Sequence, residues 1–296
     1  MLGNKLKFAR FVTLSAIAVA GAPLAAQSAA DTGRAMMVAS QPTQAAAAVS
    51  RWQQLTSNDR LGFSDYAGFA LAYPTYPRME LIRTYAERAL DRDAPGPEQV
   101  VAFFDRFPPQ TNPARARYAL ALSSLNRPQA RDVAREAWQG GKMSSPSEAY
   151  MTGMFGNAFT PNDHEERIRA LLWQGEGEAA ARQMELISPD KRTRYMAYLS
   201  LVQGNLPQMV GLSVPADLMN DPGYVYRLAR HYRRTGEGYK GQQLLATRGT
   251  FSRPPHDAED MVTEMLVQAR GAGASVAASI ASKVDDLFEP GTDISA

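Results

Sequence analysis

From Thr43 onward, apolar residues recur at i, i+3, i+4 and i+7, as in Tyr66/Phe69/Ala70/Tyr73, Tyr118/Ala121/Leu122/Leu125, Tyr195/Tyr198/Leu199/Val202 and Val225/Leu228/Ala229/Tyr232. That period places the apolar set on one face of a helix, and a one-sided helix needs a neighbour to cover it. No segment shows sustained strand alternation. The dividers are helix punctuation: Asp-Ala-Pro-Gly-Pro at 93–97, Thr160-Pro161, Ser188-Pro189 and Asp221-Pro222. Three of these put Ser, Thr or Asp at an N-cap and Pro at the first helical position, where its missing N–H costs nothing. A loose repeat runs through the turns LNRPQAR at 125, WQGEGEAA at 173, VQGNLPQM at 202 and RTGEGYKG at 234, each followed by a second helix rich in Ala or Gln. Units spaced by about 30 to 50 residues cannot bury their apolar faces singly and must stack. The expected fold is all-α: an α-solenoid, a superhelix of antiparallel helix pairs.

Composition narrows the class. With 45% hydrophobic residues in 296, the chain is long enough for a substantial core. The first thirty residues carry a basic start (Lys5, Lys7, Arg10), an apolar run from Phe11 to about Ala20 and a small-residue end that can be cut after Ala26 or Ala30. They read as a secretory signal peptide; the run is shorter than the roughly 20 residues a spanning helix needs, so no stable membrane span is expected after cleavage. Its loss takes the formal charge from +2 to −1, which argues against nucleic acid as a partner. The organisation expected is a signal peptide over 1–30, a flexible leader over 31–50, whose aperiodic part ends at about 42, and a superhelical domain over 51–296. The absence of cysteine excludes disulfides, thiolate metal sites and a cysteine nucleophile. An exported protein held by its core alone suits a bacterial periplasm.

The stretch TPNDHEER at 160–167 resembles an assembling metal or acid/base site. Helix chemistry accounts for it: Thr160 as N-cap, Pro161 at the first position, then Asp163, Glu165 and Glu166 where the helix dipole favours negative charge. A zinc-protease pattern needs histidine at 168, where Ile168 stands, and only His231 and His256 remain elsewhere. His256 reads as the polar start of a helix over Asp257–Ala269. GEGEAA and RGAGAS read as turns, since no strand precedes them. The run Arg227–Arg234 reads as a solvated basic face, with contact to an anionic polymer as the alternative. Trp52, Trp138 and Trp173 offer flat rings suited to the C–H face of a sugar, although Trp173 follows a buried stripe and core packing is the better expectation. No carboxylate pair can be singled out without a cleft to hold it. No catalytic, cofactor-binding or metal-ligating residue is assigned, and no cofactor.

Several blocks in order carry a family likeness: FSDYAGFALAYPTYP with AERAL (63–90), FFDRFPPQTNPARARYALAL (103–122), FTPNDHEERIRALLWQGEGEAAAR (159–182) and NDPGYVYRLARHYRRTGEGYKGQQLL (220–245). From about Trp52 onward the chain resembles the amino-terminal superhelix of soluble lytic murein transglycosylases, in the form common in α-proteobacteria. The resemblance implies a U-shaped or ring-shaped helical domain beside a lysozyme-like domain that cleaves peptidoglycan glycan to 1,6-anhydro ends with one glutamate in a Glu-Ser motif. No Glu is followed by Ser in this chain, and neither the Gly-Leu-Met-Gln nor the Ala-Tyr-Asn-Ala-Gly-like stretch occurs, so no catalytic residue carries over. The chain is expected to be the noncatalytic superhelical part of such an enzyme, incomplete at its carboxyl end and inactive alone. Peptidoglycan glycan strands are then the implied partner; a free-standing periplasmic scaffold for other proteins is the alternative.

Overall fold

The computed structural model describes residues 44–288, so the expected signal peptide and the aperiodic part of the leader lie outside the described residues. The chain divides at Asp59/Arg60 into two compact units. In the first, helix α1 covers residues 44–57. It begins inside the span assigned to the leader, because Ala45–Ala48 is a run of the strongest helix former.

The second unit holds thirteen further α-helices among the described residues and no strand: α2 (Phe63–Ala72), α3 (Met79–Asp93), α4 (Pro97–Arg106), α5 (Asn112–Ser124), α6 (Ala130–Gln139), α7 (Ser145–Phe155), α8 (Pro161–Gln174), α9 (Gly177–Gln183), α10 (Pro189–Val202), α11 (Pro222–Arg234), α12 (Gly238–Thr247), α13 (Ala258–Arg270) and α14 (Ala274–Ala281). Within this unit most helices touch the next in chain order, as in α2·α3, α4·α5, α5·α6, α8·α9, α11·α12 and α13·α14, and several reach one helix further, as in α6·α8 and α11·α13. Burial passed along from pair to pair is the organisation of an α-solenoid. Small residues set the closest approaches: Ala116, Ala119, Ala134 and Ala137 are fully buried in α5 and α6. Between α11 and α12, a Cβ on Gly241 would come within 3.1 Å of the Ala229 carbonyl oxygen. The predicted apolar sets are buried at their first three positions apart from Tyr118 and Leu199; at the last, near the helix end, Leu125, Val202 and Tyr232 are partly covered and Tyr73 is exposed.

The four repeat turns share one geometry. A residue with positive φ (Asn126, Gly175, Gly204 or Gly236) ends the helix, and the next N–H returns to the carbonyl five residues earlier: Arg127 to Leu122 (2.9 Å), Glu176 to Leu171 (2.9 Å), Asn205 to Ser200 (2.8 Å) and Glu237 to Tyr232 (2.8 Å). This is the Schellman closure, and it satisfies carbonyls that the helix leaves unpaired. Three of the turns lead into α6, α9 and α12; the one at 202 leads instead into a short 3-10 turn, Pro207–Val210, because Pro207 supplies no N–H to carry the ladder on.

Caps follow the sequence at Thr160 and Asp221, whose side chains accept from the backbone of α8 and α11, whereas Ser188 makes no side-chain cap. Asp93 does something the local sequence does not suggest. It is the last residue of α3, and its carboxylate accepts the Phe63 N–H at 2.6 Å, serving the start of α2 thirty residues away. Arg92 and then that N–H hold its carboxyl below the usual range. Gly96 takes the cap of α4 instead. No helix among the described residues is long and apolar enough to cross a membrane.

Candidate functional site

The N-terminal end of α8 answers the question its histidine raises. Thr160 Oγ1 accepts the Asp163 N–H (3.2 Å) and Asp163 Oδ2 accepts the Thr160 N–H (2.7 Å), a reciprocal cap. Gln139 Nε2 donates to the other Asp163 oxygen at 2.6 Å. Burial pushes the Asp163 carboxyl up, but these bonds and the Arg135 charge outweigh it and leave it lowered. His164 Nδ1 accepts from Trp138 Nε1 (3.2 Å) and faces Gln183 Nε2 at 3.0 Å. Both partners are obligate donors, so Nδ1 carries no proton and no metal can use it in this arrangement. Burial, joined by the Arg167 charge, lowers the His164 pKa. Glu165 is buried and accepts from Tyr195 Oη (2.7 Å), Arg169 Nη2 (2.5 Å) and Lys191. Burial opposes ionisation there, but the Lys191 and Tyr195 bonds prevail and the carboxyl is lowered. These residues are committed to one another. Among the described residues no group of three or more His, Asp or Glu is placed to hold a metal.

The other end of α8 differs. A cleft of about 430 Å³ runs along α8 from Glu166 to Trp173 and is closed by the Gln139–Gly140 turn, Tyr198 of α10, the start of α11 and the loop Arg253–His256 that precedes α13. Tyr198 and Trp173 are 1% and 4% exposed, yet the Tyr198 hydroxyl and the Trp173 indole N–H have no hydrogen-bond partner. A buried polar group without a partner costs about 1–3 kcal/mol and calls for an explanation. Burial pushes the Tyr198 phenol well above its ordinary value, so it remains a neutral hydroxyl. Its position depends on Gly223 in the first turn of α11: a Cβ there would stand 2.3 Å from the Tyr198 oxygen. Asp221 beside it accepts from the Gly223 and Tyr224 N–H groups at 3.0 and 3.1 Å. Across the cleft, Arg253 grips Glu166 with two parallel bonds of 2.9 Å, and Arg169 adds a third at 2.8 Å. That bidentate pair ties the loop before α13 to α8, 87 residues earlier. His256 also lines the cleft; burial lowers its pKa, so it is neutral near pH 7. The cleft therefore offers neutral donors beside a charge-compensated wall.

Of the tryptophans weighed as sugar platforms, Trp138 is 2% exposed, with Phe159 stacked on it at 4.7 Å and Arg167 at 3.9 Å over its ring. Trp173 is buried as expected, stacked on Tyr226 at 4.3 Å, and it also lines the cleft. Trp52 is half-buried in α1, in the first unit. The run Arg227–Arg234 is not the solvated face expected. Arg227 reaches the last carbonyls of α8, Leu172 (3.0 Å) and Trp173, while Arg233 pairs bidentately with Glu264 of α13 at 2.9 and 2.6 Å. Arg230 donates to Tyr226 Oη, so within the run only Arg234 is left exposed. Helix C-termini carry unpaired carbonyls and partial negative charge, which is what draws Arg227 inward. The three histidines do not converge: His164 and His256 lie at opposite ends of α8, and His231 is in the last turn of α11.

Sequence reasoning missed Tyr198, Gly223, Asp221 and Arg253 as one site, since they come from separate elements. A signal was present: the tripeptide Trp-Gln-Gly occurs at 138–140 and again at 173–175. Each copy ends a helix, and each is capped by an arginine from a later helix. Arg167 reaches Gly141 O (2.8 Å) after the first copy, as Arg227 reaches Leu172 O and Trp173 O at the second. Gln174 of the second copy donates to Gly140 O of the first (2.9 Å), locking one repeat to the next. No known protein family, curated protein or solved structure matches the chain.

Proposed function

We propose that the chain is the noncatalytic superhelical part of an exported lytic murein transglycosylase and that it holds peptidoglycan glycan strands in the periplasm. The all-helical array of consecutive pairs agrees with the architecture that the sequence likeness implies. One observation carries the reading: a cleft of about 430 Å³ whose lining includes Tyr198 and Trp173, each with a buried donor, Oη and Nε1, that has no acceptor. Sugar hydroxyls and acetamido carbonyls supply acceptors of that kind, and filling both donors returns the cost of leaving them bare. The ligand's neutral body also suits a cleft whose main charges, Glu166 and Arg253, already neutralise each other.

The test is co-sedimentation of the purified protein with peptidoglycan sacculi. Retention by sacculi, competed by soluble glycan fragments and weakened by Tyr198→Phe, is the expected result. A protein that stays in the supernatant at low and high salt would remove the proposal.

A second reading, a scaffold for a protein partner, draws on a separate groove of about 270 Å³ lined by Pro95, Val100 and Leu120, with Tyr150 and Met154 exposed at its rim. Such a scaffold ignores sacculi, so the same sedimentation separates the two.

A further inference from the structure

Next to the cleft lies a second cavity of about 500 Å³, and the two share Trp173 and His256 as a common wall. Arg227, Arg230 and Arg234 all line it. Their spacing on α11 puts them on one helix face, one turn apart. Three like charges in one cavity repel each other. Arg227 is lowered from its ordinary value by burial first, and the Arg230 and Arg234 charges push the same way. Arg227 and Arg230 spend part of their donors on the α8 carbonyls and on Tyr226, but Arg230 Nε is buried with no partner. Arg234, among the described residues, makes neither a hydrogen bond nor an ion pair. The facing carboxylates are Asp257 and Asp260 at the start of α13. Asp257 Oδ1 is taken by the Asp260 N–H (2.9 Å), and neither acid pairs with the arginines. With His256 neutral, three cations against two anions leave the cavity one positive charge in excess.

We propose that this arginine cavity is a carboxylate subsite, which takes the acid group of a ligand whose neutral body lies in the adjoining cleft. The inference rests on the reading of that cleft as the seat of a glycan. A guanidinium fork matches a carboxylate in two parallel bonds, and a single negative charge balances the cavity where a dianion overshoots it. Trp173 and His256 line both cavities, so one ligand can span the two. The acid group has two sources on such a ligand, an acidic sugar or a short peptide attached to it, and both present the same chemistry.

Calorimetric titration of the full protein at low salt separates these. The probes are chitotetraose (neutral), a peptide-free tetrasaccharide alternating N-acetylglucosamine with N-acetylmuramic acid, and the dipeptide L-Ala-D-Glu. The acidic tetrasaccharide is expected to bind at least tenfold tighter than chitotetraose. That margin falls to about threefold or less in Arg234→Gln, with chitotetraose binding unchanged, and returns in Arg234→Lys. If the dipeptide alone binds, with the same dependence on Arg234, the acid comes from the peptide. In that case failure of both sugars removes the glycan reading while the carboxylate subsite stands. Equal affinity for neutral and acidic tetrasaccharide, or a margin untouched by Arg234→Gln, overturns the subsite and leaves the glycan reading in place. No binding by any probe overturns both. Arg234 is exposed at the end of α11, so its replacement is not expected to alter folding; an unchanged melting curve checks this.

Discussion

The two ends of α8 are built from the same parts and finished differently. At each end a tryptophan from a Trp-Gln-Gly turn stacks on another aromatic ring, Trp138 on Phe159 and Trp173 on Tyr226, and a histidine and an arginine stand nearby. At the Trp138 end the aromatic donor is used: the indole N–H goes to His164, Gln183 points at the same ring nitrogen, and Arg167 fills the space over the ring, leaving only Nε of its guanidinium with neither a hydrogen bond nor an ion pair. At the Trp173 end the indole N–H and the Tyr198 hydroxyl are left without acceptors, and a cleft stands open beside them. The sealed end holds helices together. The open end costs stability in the free protein, and bare donors beside an open cleft are what a site awaiting a ligand looks like.

Substitutions that break the two ends unequally test this contrast. The largest effect is expected from Arg167→Ala. Arg167 is 1% exposed, pairs with Glu148 at 3.0 Å, donates to Gly141 O and covers Trp138; burial pushes its pKa down to about 10. Its loss is expected to cost about 3 kcal/mol in a denaturant titration. Arg227→Ala, removing a half-buried residue at the open end, is expected to cost roughly half as much, within the ordinary range for single substitutions. Equal costs would erase the distinction. Next, Gly223→Ala drives a methyl group against the Tyr198 oxygen and is expected to cost about 2 kcal/mol. Adding Tyr198→Phe relieves part of this, so the two changes are non-additive.

Tyr198→Phe alone is expected to leave stability within about 0.5 kcal/mol or raise it slightly, because the hydroxyl it removes has no partner. Its effect belongs in binding, as a several-fold loss of sacculus retention. A marked destabilisation without ligand would mean that the hydroxyl already has a structural partner. The smallest effect concerns pH. His164 is held neutral with a lowered pKa, so the unfolded state binds its proton first. The sealed end then loses stability as pH falls below roughly 6.5, the ordinary histidine value, toward the folded one. Glu165 and Asp163 are lowered acids, and their contribution goes only further down, as pH falls from roughly 4.3 through their folded values. A melting temperature that drops between pH 7 and 5.5, and drops less in His164→Gln, is the expected record.

What the sequence made legible was local. The Thr160–Asp163 cap, the Pro161, Pro189 and Pro222 starts, and the four Schellman turns all depend on residues within a few positions of one another. The fold class and its consecutive pairs follow from them. What remained hidden depends on distance along the chain. Asp93 serves α2 rather than the helix after it, and nothing near it says so. The Arg227–Arg234 run looked like a free basic face because the carbonyls that draw Arg227 inward belong to a helix more than fifty residues earlier. The cleft is less legible still, since its defining property is a missing bond. Tyr198 and Tyr195 sit on the same stripe of α10, and only the fold decides that Tyr195 finds Glu165 while Tyr198 finds nothing.

The central claim, that the indole N–H at the Trp173 end awaits a ligand while the one at the Trp138 end is spent, has a direct test in the indole signals. With three tryptophans in the chain, a proton–nitrogen correlation spectrum contains three indole N–H peaks, assignable by single Trp→Phe changes. Titration with chitotetraose or a murein tetrasaccharide should move the Trp173 peak progressively and leave Trp138 in place. A Trp173 peak that stays fixed while the glycan binds, or a Trp138 peak that moves in its stead, would contradict the account.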